Sequence, residues 1–430
     1  MFALLRQRNF GLLWTGGLVS LAGDWVLYAA LPYFVYQRTG STVATAGMIA
    51  AELAPGVLLS SIAGVFVDRW DRKRVLVAGN LLQAGAVALL LLVPDGGWIG
   101  FVYVVAVAQS LVASFSVPAE GALLPTLVGD AELLTANALN AFNNRLARLV
   151  GVPLGGALLA ALGLWGVVVA DCATFVAAAA LVGAIAAPRA ARGVVGDEDV
   201  AEEARSAWAS FWAEWVEGLR LVRRERTIAV IFVVLGLMTF GGTMLDPLYA
   251  AWVRDVLDRG PQLYAWLLTA HAASGIVGTT LVGRYGARLS PRILMGWSSI
   301  AAGVVNGVKF NVPLVPVAVG VSVPTGVTSV ASAVGAETLV QQSVRDAYRG
   351  RVFGSLGATG ALLSLAGAAT GGALAELVGL AAMLTVASAL IVLSGLVVLR
   401  AFPGAPREAG RHDGFGRSST LTASRASNSR

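Results

Sequence analysis

Apolar runs of membrane-spanning length recur along almost the whole chain, and they constrain its fold more than any other feature. A helix needs about 20 apolar residues to cross the hydrocarbon core of a bilayer. Of the 430 residues, 57% are hydrophobic and only 13% are charged, whereas a soluble domain carries about 25% charged residues. The sequence therefore predicts an all-α membrane protein in which no large soluble domain is left over.

Twelve such runs, bounded by charge, glycine or proline, predict twelve transmembrane helices. With both termini in the cytoplasm, 25 Lys and Arg fall in inner segments, two lie within the fifth span (Arg145 and Arg148), and only Arg38, Arg254, Arg259 and Lys309 fall outside. This positive-inside bias predicts a multi-pass protein with both termini cytoplasmic. The 29 arginines beside two lysines, with abundant Ala, Val and Gly, indicate a GC-rich bacterium and hence a bacterial plasma membrane. The predicted spans are 10–36, 43–67, 75–93, 98–121, 136–162, 164–187, 227–252, 262–284, 291–309, 312–337, 352–378 and 380–400.

Landmark residues repeat at an offset of 214–217 positions, which indicates a duplicated six-helix unit. Six crossings return the chain to its starting side, so the two copies are parallel and related by an axis along the membrane normal. A substrate would then bind between the halves. The repeated landmarks are Pro32 and Pro247, Gly64 and Gly278, Glu120 and Glu337, and Gly155-Gly156 and Gly371-Gly372.

The halves are predicted to span 1–187 and 227–400, joined by a polar cytoplasmic linker at 188–226 and followed by a disordered cytoplasmic tail at 401–430. The linker contains apolar residues at steps of three and four from Trp208 to Val222, the pattern of an amphipathic helix. Such a helix can lie in the headgroup region of the membrane. The alternative is that its apolar stripe packs on protein.

The turn between the second and third spans reads Gly64-Val-Phe-Val-Asp68-Arg69-Trp-Asp71-Arg72-Lys73-Arg74. Gly64 would let two helices approach closely, and Asp68 would cap a helix or hold an arginine. The motif resembles the signature loop of the major facilitator superfamily, and the resemblance, which spans about residues 5–400, implies alternating-access transport. A weaker copy at 278–292 has Gly283 where the first has Asp68.

The fifth span carries Gly151-Val-Pro153-Leu-Gly155-Gly156, which resembles the Gly/Pro motif of exporters in this superfamily. The exporter motif places proline directly after the first glycine, and here Val152 intervenes. Asp24 and the sequence after the linker are similar to the branch that contains macrolide-efflux proteins and the enterobactin exporter. The resemblance implies export of a small molecule.

Ionisable groups inside a bilayer are costly unless they are paired or hydrated, so each is a functional candidate. Asp24 lies near the middle of the first span, one turn before Tyr28, and is the first candidate for binding substrate or a proton. Glu52, Asp171 and Arg148 follow, and Asp24 and Arg148 could instead form a structural pair. Asp246 and Glu376 are expected to be interfacial, and His271 to make a contact between helices.

Glu120 and Glu337 occupy matching positions near the cytoplasmic ends of the fourth and tenth spans. Their placement predicts inner-gate salt bridges with arginines such as Arg148 or Arg351. Together with Gly64, Asp68, Arg69, Arg72, Gly151, Pro153 and Gly155, these residues make up the predicted gating and signature set.

These observations predict a secondary transporter that exports hydrophobic or amphipathic small molecules, such as drugs or antibiotics, in exchange for protons. Two alternatives are a dedicated siderophore or metabolite exporter and a non-transporting scaffold of the same fold. The chain has no phosphate-cradling Walker pattern, no Cys/His metal set and no nucleophile paired with a base. We therefore expect no cofactor, metal, nucleic acid or enzymatic activity, and a monomer in the bilayer.

Overall fold

The computed structural model describes residues 2–93, 98–186, 197–344 and 346–402, and helices make up nearly all of them. Eleven of the helices are long and apolar enough to cross a membrane, all but α6. The helices are α1 (Arg8–Thr39), α2 (Thr42–Arg69), α3 (Arg72–Ala88), α4 (Gly100–Leu127), α5 (Asp130–Gly183), α6 (Asp197–Arg224), α7 (Arg226–Ala251), α8 (Pro261–Tyr285), α9 (Pro291–Asn311), α10 (Val315–Ser343), α11 (Asp346–Val378) and α12 (Leu380–Ala401).

Helix α5 contains two of the predicted spans. Its backbone leaves the helical region at Gly163, with φ 65° and ψ −165°, a conformation that glycine adopts without steric cost. The predicted boundary between residues 162 and 164 coincides with this break. With α5 counted as two spans, the eleven membrane-length helices make twelve crossings, and the predicted all-helical fold is confirmed.

The helices form two halves, α1–α5 and α7–α12, which meet most closely at one end of the bundle. This end contains the last turns of α1, α7 and α11 and the first turns of α2 and α8, and we call it the closed face. The other end, the opposite face, contains the turn at 69–72 and helix α6. In the N-terminal half the main packed pairs are α1 with α5, α2 with α4 and α3 with α5, and in the C-terminal half they are α9 with α12, α9 with α10 and α8 with α10.

Helix α6 packs on protein along its last turns. Leu219 and Val222 contact the buried cluster of Ile228, Phe232 and Val352, among others. The indole of Trp215 donates a hydrogen bond to Thr359 at 3.1 Å. This part of the predicted stripe therefore follows the alternative in which it packs on protein. The start of the predicted linker and almost all of the predicted tail lie outside the described residues.

Candidate functional site

A cavity of about 360 Å³ lies between the two halves, and both contribute to its walls. Its lining combines aromatic rings, aliphatic side chains and several ionisable groups, which is typical of a site for an apolar ligand with polar substituents. The lining residues used below are Tyr28, Glu52 and Arg148 from the N-terminal half and Asp246, Tyr249, Tyr264, His271, Asn306 and Lys309 from the C-terminal half.

Two carboxylates, one from each half, face this cavity. Glu52 comes from α2 and Asp246 from α7, and both line the same cavity. Arg148 of α5 lines it as well, and its guanidinium lies over the ring of Trp25 at 4.7 Å from the centroid. The cavity therefore brings a carboxylate pair and an arginine together across the interface between the halves.

A second cavity of about 280 Å³ lies inside the N-terminal half and shares Glu52 and Tyr28 with the central one. Asp24 lines this second cavity. Glu52 and Tyr28, which line both cavities, connect it to the central one. A Cβ on Gly23, the residue before Asp24, would lie 2.2 Å from Oδ1 of Asp171, so Asp171 packs on α1 beside Asp24. Asp171 is fully buried and hydrogen-bonded to Thr174 at 3.3 Å.

Four acidic side chains are thus neighbours one after another along the two cavities, and we call them the carboxylate series. Asp171 packs on α1 beside Asp24, Asp24 and Glu52 line the second cavity, and Glu52 and Asp246 line the central one. Three of its four members were predicted as candidate site residues. The predicted pairing of Asp24 with Arg148 does not occur among the described contacts, since Arg148 lies against Trp25 and its Nε has no hydrogen-bond partner.

Neither Asp246 nor Lys309 was among the predicted candidate binding residues. Asp246 was expected at the membrane interface and Lys309 in an outer segment, and the structure places both on the wall of the central cavity. Each lies near a helix end, and sequence position alone does not show that this end of the bundle is covered by the other half. Lys309 did carry a signal, because it is one of only two lysines beside 29 arginines and adjoins an apolar run.

The closed face is held by hydrogen bonds between the halves. The phenol of Tyr36 bonds the carboxylate of Asp255, and Arg254 donates to the carbonyl of Tyr36 at 3.0 Å. Also on the closed face, where α2 meets α11, the hydroxyl of Ser41 and the backbone N–H of Val43 donate to Glu376 at 2.6 and 3.2 Å. Glu376, expected to be interfacial, therefore binds the first turn of a helix in the other half.

The predicted inner-gate pairs have other partners in this structure. Glu120 accepts a hydrogen bond from Asn140 at 3.3 Å, and Glu337 accepts one from Gln341 at 3.3 Å. Arg351 pairs instead with Glu217 of α6, with 2.9 Å between Nη1 and Oε1. The prediction missed Glu217 because the two residues are 134 positions apart and only the path of the linker brings them together.

The signature turn is also built differently from the prediction. A Cβ on Gly64 would meet no atom within 4 Å, so Gly64 does not mark a close helix contact here. The side chain of Asp68 lies outside the described residues, and Arg69 is the last residue of α2. Asp71 caps α3 by accepting the N–H of Arg74 at 3.0 Å. Arg72 donates to the carbonyl of Ala122 at 3.0 Å, which ties α3 to α4.

The glycines of the α5 motif lie at close contacts with α1. A Cβ on Gly151 would lie 2.4 Å from the carbonyl oxygen of Ala22, and one on Gly155 would lie 2.3 Å from that of Val26. Pro153 lies between them inside the helix. The motif thus allows α1 to pack directly on the backbone of α5, and α1 is the helix that carries Asp24 and Tyr28.

Comparison with known proteins gives consistent matches over most of the chain. The family model for transmembrane secretion effectors matches residues 1–409. Macrolide efflux protein A of Streptococcus pyogenes is 24% identical over 375 residues, which cover 84% of this chain and 87% of that protein. The multidrug efflux pump Tap of Mycobacterium tuberculosis is 28% identical over 332 residues, covering 73% and 75%.

Among solved structures, the nucleoside transporter NupG superposes with a TM-score of 0.72 at 11% identity, covering 92% of this chain and 100% of that one. At this identity the match shows a shared fold. The predicted resemblance to the major facilitator superfamily, and to its macrolide-efflux branch, is confirmed.

Proposed function

Because the chain belongs to the transmembrane secretion effector family of the major facilitator superfamily, we propose that it exports hydrophobic or amphipathic small molecules by alternating access. The observation that carries this proposal is the central cavity, which is built by both halves and covered at the closed face by contacts between them. Rocking of the halves about such a site would expose it to each side in turn. Membership of the family makes the protein a transporter rather than an enzyme.

The substrate class follows from the lining of the cavity. Aromatic side chains such as Tyr28 and Tyr264 would cover an apolar body, and the Glu52 and Asp246 carboxylates would attract a positive charge. The similarity to a macrolide efflux protein and to a multidrug efflux pump supports this class. We assign drug-like amphipathic cations to the site.

The carboxylate series supplies a route for coupling to protons. Neighbouring carboxylates disfavour one another's charge, so a group of them binds a proton more readily than a single carboxylate does. A cationic substrate at Glu52 and Asp246 would favour the ionised forms and release a proton. Proton and substrate would then compete along the series, which is the simplest physical route to antiport.

The orientation proposed from the charge bias places the closed face outside the cell and both termini inside. After Cys172→Ala, a cysteine introduced at Gly260, on the closed face, should react with an impermeant thiol reagent added to intact cells. A cysteine at Gly196, in the linker, should react only after the membrane is broken. Labelling of the Gly196 position in intact cells would contradict this orientation.

Everted membrane vesicles test the export itself, with the cationic dye rhodamine 6G as the probe. Vesicles that contain the protein should accumulate the dye, and an acidic lumen should accelerate the accumulation. Vesicles without the protein are the control. Absence of uptake in both conditions would favour a dedicated metabolite exporter or the non-transporting scaffold, and uptake that ignores the pH gradient would contradict proton coupling.

A further inference from the structure

Lys309 is a buried cation on the wall of the central cavity. It lies in the last turn of α9 and only 4% of its surface is exposed. Its ammonium bonds the phenol of Tyr249 and lies 4.4 Å from the centroid of the Tyr249 ring, with the rings of Trp252 and Phe310 at 5.7 and 5.6 Å. Aromatic faces attract a cation, but they do not neutralise it.

The described groups that contact the Lys309 ammonium are aromatic side chains, which carry no negative charge. In the described parts of the chain Lys309 forms no ion pair with a carboxylate. His271 lines the same cavity, and an imidazole supplies no negative charge. The buried indole N–H of Trp252 has no hydrogen-bond partner either.

An ammonium has three N–H donors, and the phenol of Tyr249 accounts for one bond at Lys309. A buried cation whose remaining donors face a cavity is stabilised most by an acceptor that carries negative charge. Lys309 lines the central cavity, which has room for such a group. The missing partner is therefore best supplied by the substrate.

We infer that Lys309 and Tyr249 form an anion-binding subsite of the central cavity, which accepts a carboxylate or phenolate carried by an amphipathic substrate. Since the same cavity presents Glu52 and Asp246, a molecule with both an amine and an acidic group engages both kinds of charge at once. This inference rests on the proposed function and narrows its substrate class to include zwitterions.

The test uses two dyes that share one cationic ring system. Rhodamine 6G carries an ethyl ester, and rhodamine 19 carries the free carboxylate in its place. Fluorescence anisotropy with the purified full-length protein in lipid nanodiscs gives a dissociation constant for each dye. Lys309→Met should weaken rhodamine 19 binding about tenfold or more, the loss expected for one charge-assisted hydrogen bond, and change rhodamine 6G binding by less than about twofold.

Two further variants separate charge from packing. Lys309→Arg keeps the positive charge and should retain rhodamine 19 binding to within about threefold. Val308→Met introduces the same residue one position away, at a side chain that is 44% exposed, and should alter the binding of neither dye.

Equal losses for both dyes in Lys309→Met, or unchanged rhodamine 19 binding, would overturn the anion subsite. A wild-type protein that binds rhodamine 6G but not rhodamine 19 would also overturn it while leaving the proposed function intact. A wild-type protein that binds neither dye would contradict both.

Discussion

The two halves of the protein agree closely where they touch and differ where they face the substrate. Gly155 packs on the carbonyl of Val26 in its own half, and a Cβ on Gly156 would lie 2.2 Å from the Cβ of Ala265 in the other half. The second copy repeats this arrangement. Gly371 packs on Met244 in its own half, and a Cβ on Gly372 would lie 2.5 Å from the Cβ of Ala46 across the interface.

The ionisable groups follow no such symmetry. The N-terminal half contributes Asp171, Asp24 and Glu52 of the carboxylate series together with the cation Arg148, and the C-terminal half contributes Lys309 and His271 beside Asp246. The two copies therefore share the glycine contacts at which they meet, while the charges that they place at the cavities differ. We expect substitutions of the N-terminal carboxylates to act on proton coupling and substitutions of Lys309 to act on the recognition of acidic groups.

We expect the largest effect on transport from substitutions of the carboxylates in the N-terminal half. Asp24→Asn should abolish efflux driven by a pH gradient yet permit downhill exchange, because the series loses the member that links Asp171 to Glu52. Glu52→Gln and Asp171→Asn should do less. Everted vesicles with and without the gradient measure the difference.

If Asp24 instead has a structural role, the Asp24→Asn variant should misfold, and neutralising Arg148 as well should restore folding. The position of Arg148 over Trp25 makes that recovery unexpected. Gradient-driven transport at the wild-type rate and with the same pH dependence in Asp24→Asn would rule out Asp24 as the coupling site.

The second prediction concerns the shared closing surface. Gly156→Ala and Gly372→Ala should each slow efflux by about tenfold, because a methyl group at either position overpacks the closed face by about 1–3 kcal/mol and shifts the population towards the other arrangement. Gly85→Ala and Gly307→Ala are matched controls in helices of the two halves, since a Cβ there would meet no atom within 4 Å.

Dye efflux per inserted protein is the measurement, and equal effects of the two closing-surface variants would support the symmetry between the halves. A normal rate for one of them would show that the interface is used from one side only.

The fold was predictable from sequence for a simple physical reason. A bilayer allows few ways to satisfy a polar backbone, so runs of about 20 apolar residues must be helices. Even the break in α5 at Gly163 coincided with a predicted boundary. The duplicated glycine pairs were likewise visible as a repeated spacing, although the spacing alone did not reveal which partner each glycine contacts.

The site was predictable only in part, because contacts between halves join residues that are distant in sequence. Asp24, Glu52 and Asp171 stood out as charges in the middle of apolar runs, and their series follows from that placement. Asp246 and Lys309 lie near helix ends, where a charge is usually hydrated. Burial of Lys309 depends on Tyr249 and Trp252 from another helix, which no local pattern encodes.

The third prediction uses the difference between the two signature loops, where Gly283 stands in place of Asp68. Asp68→Asn should reduce transport severalfold while leaving the protein inserted, because a charge that holds one arrangement of the halves is lost. Substrate binding should survive better than turnover.

Gly283→Asn is the matched control in the second half, since a Cβ there would meet no atom within 4 Å, and it should change transport little. Unchanged transport by Asp68→Asn at normal expression would reduce the first loop to a topological signal, as in the second half.

The smallest expected effect is at the opposite face, where Arg351 pairs with Glu217 across side chains that are 49% and 53% exposed. Solvent screens such a pair, so a double-mutant cycle with Glu217→Gln and Arg351→Gln should give a coupling of about 0.2–1 kcal/mol in thermal stability. The cycle between Glu337 and Arg351 should give none in this arrangement, because Glu337 bonds Gln341. The same two double-mutant cycles, measured on the transport rate, test whether Arg351 changes partner during transport.

A Glu337–Arg351 coupling that appears in the rate but not in stability would mean that the predicted inner gate forms when the opposite face closes. Arg351 would then leave α6 and pair with α10 during transport. Coupling to Glu217 alone in both measurements would leave the linker helix as the partner of Arg351 throughout.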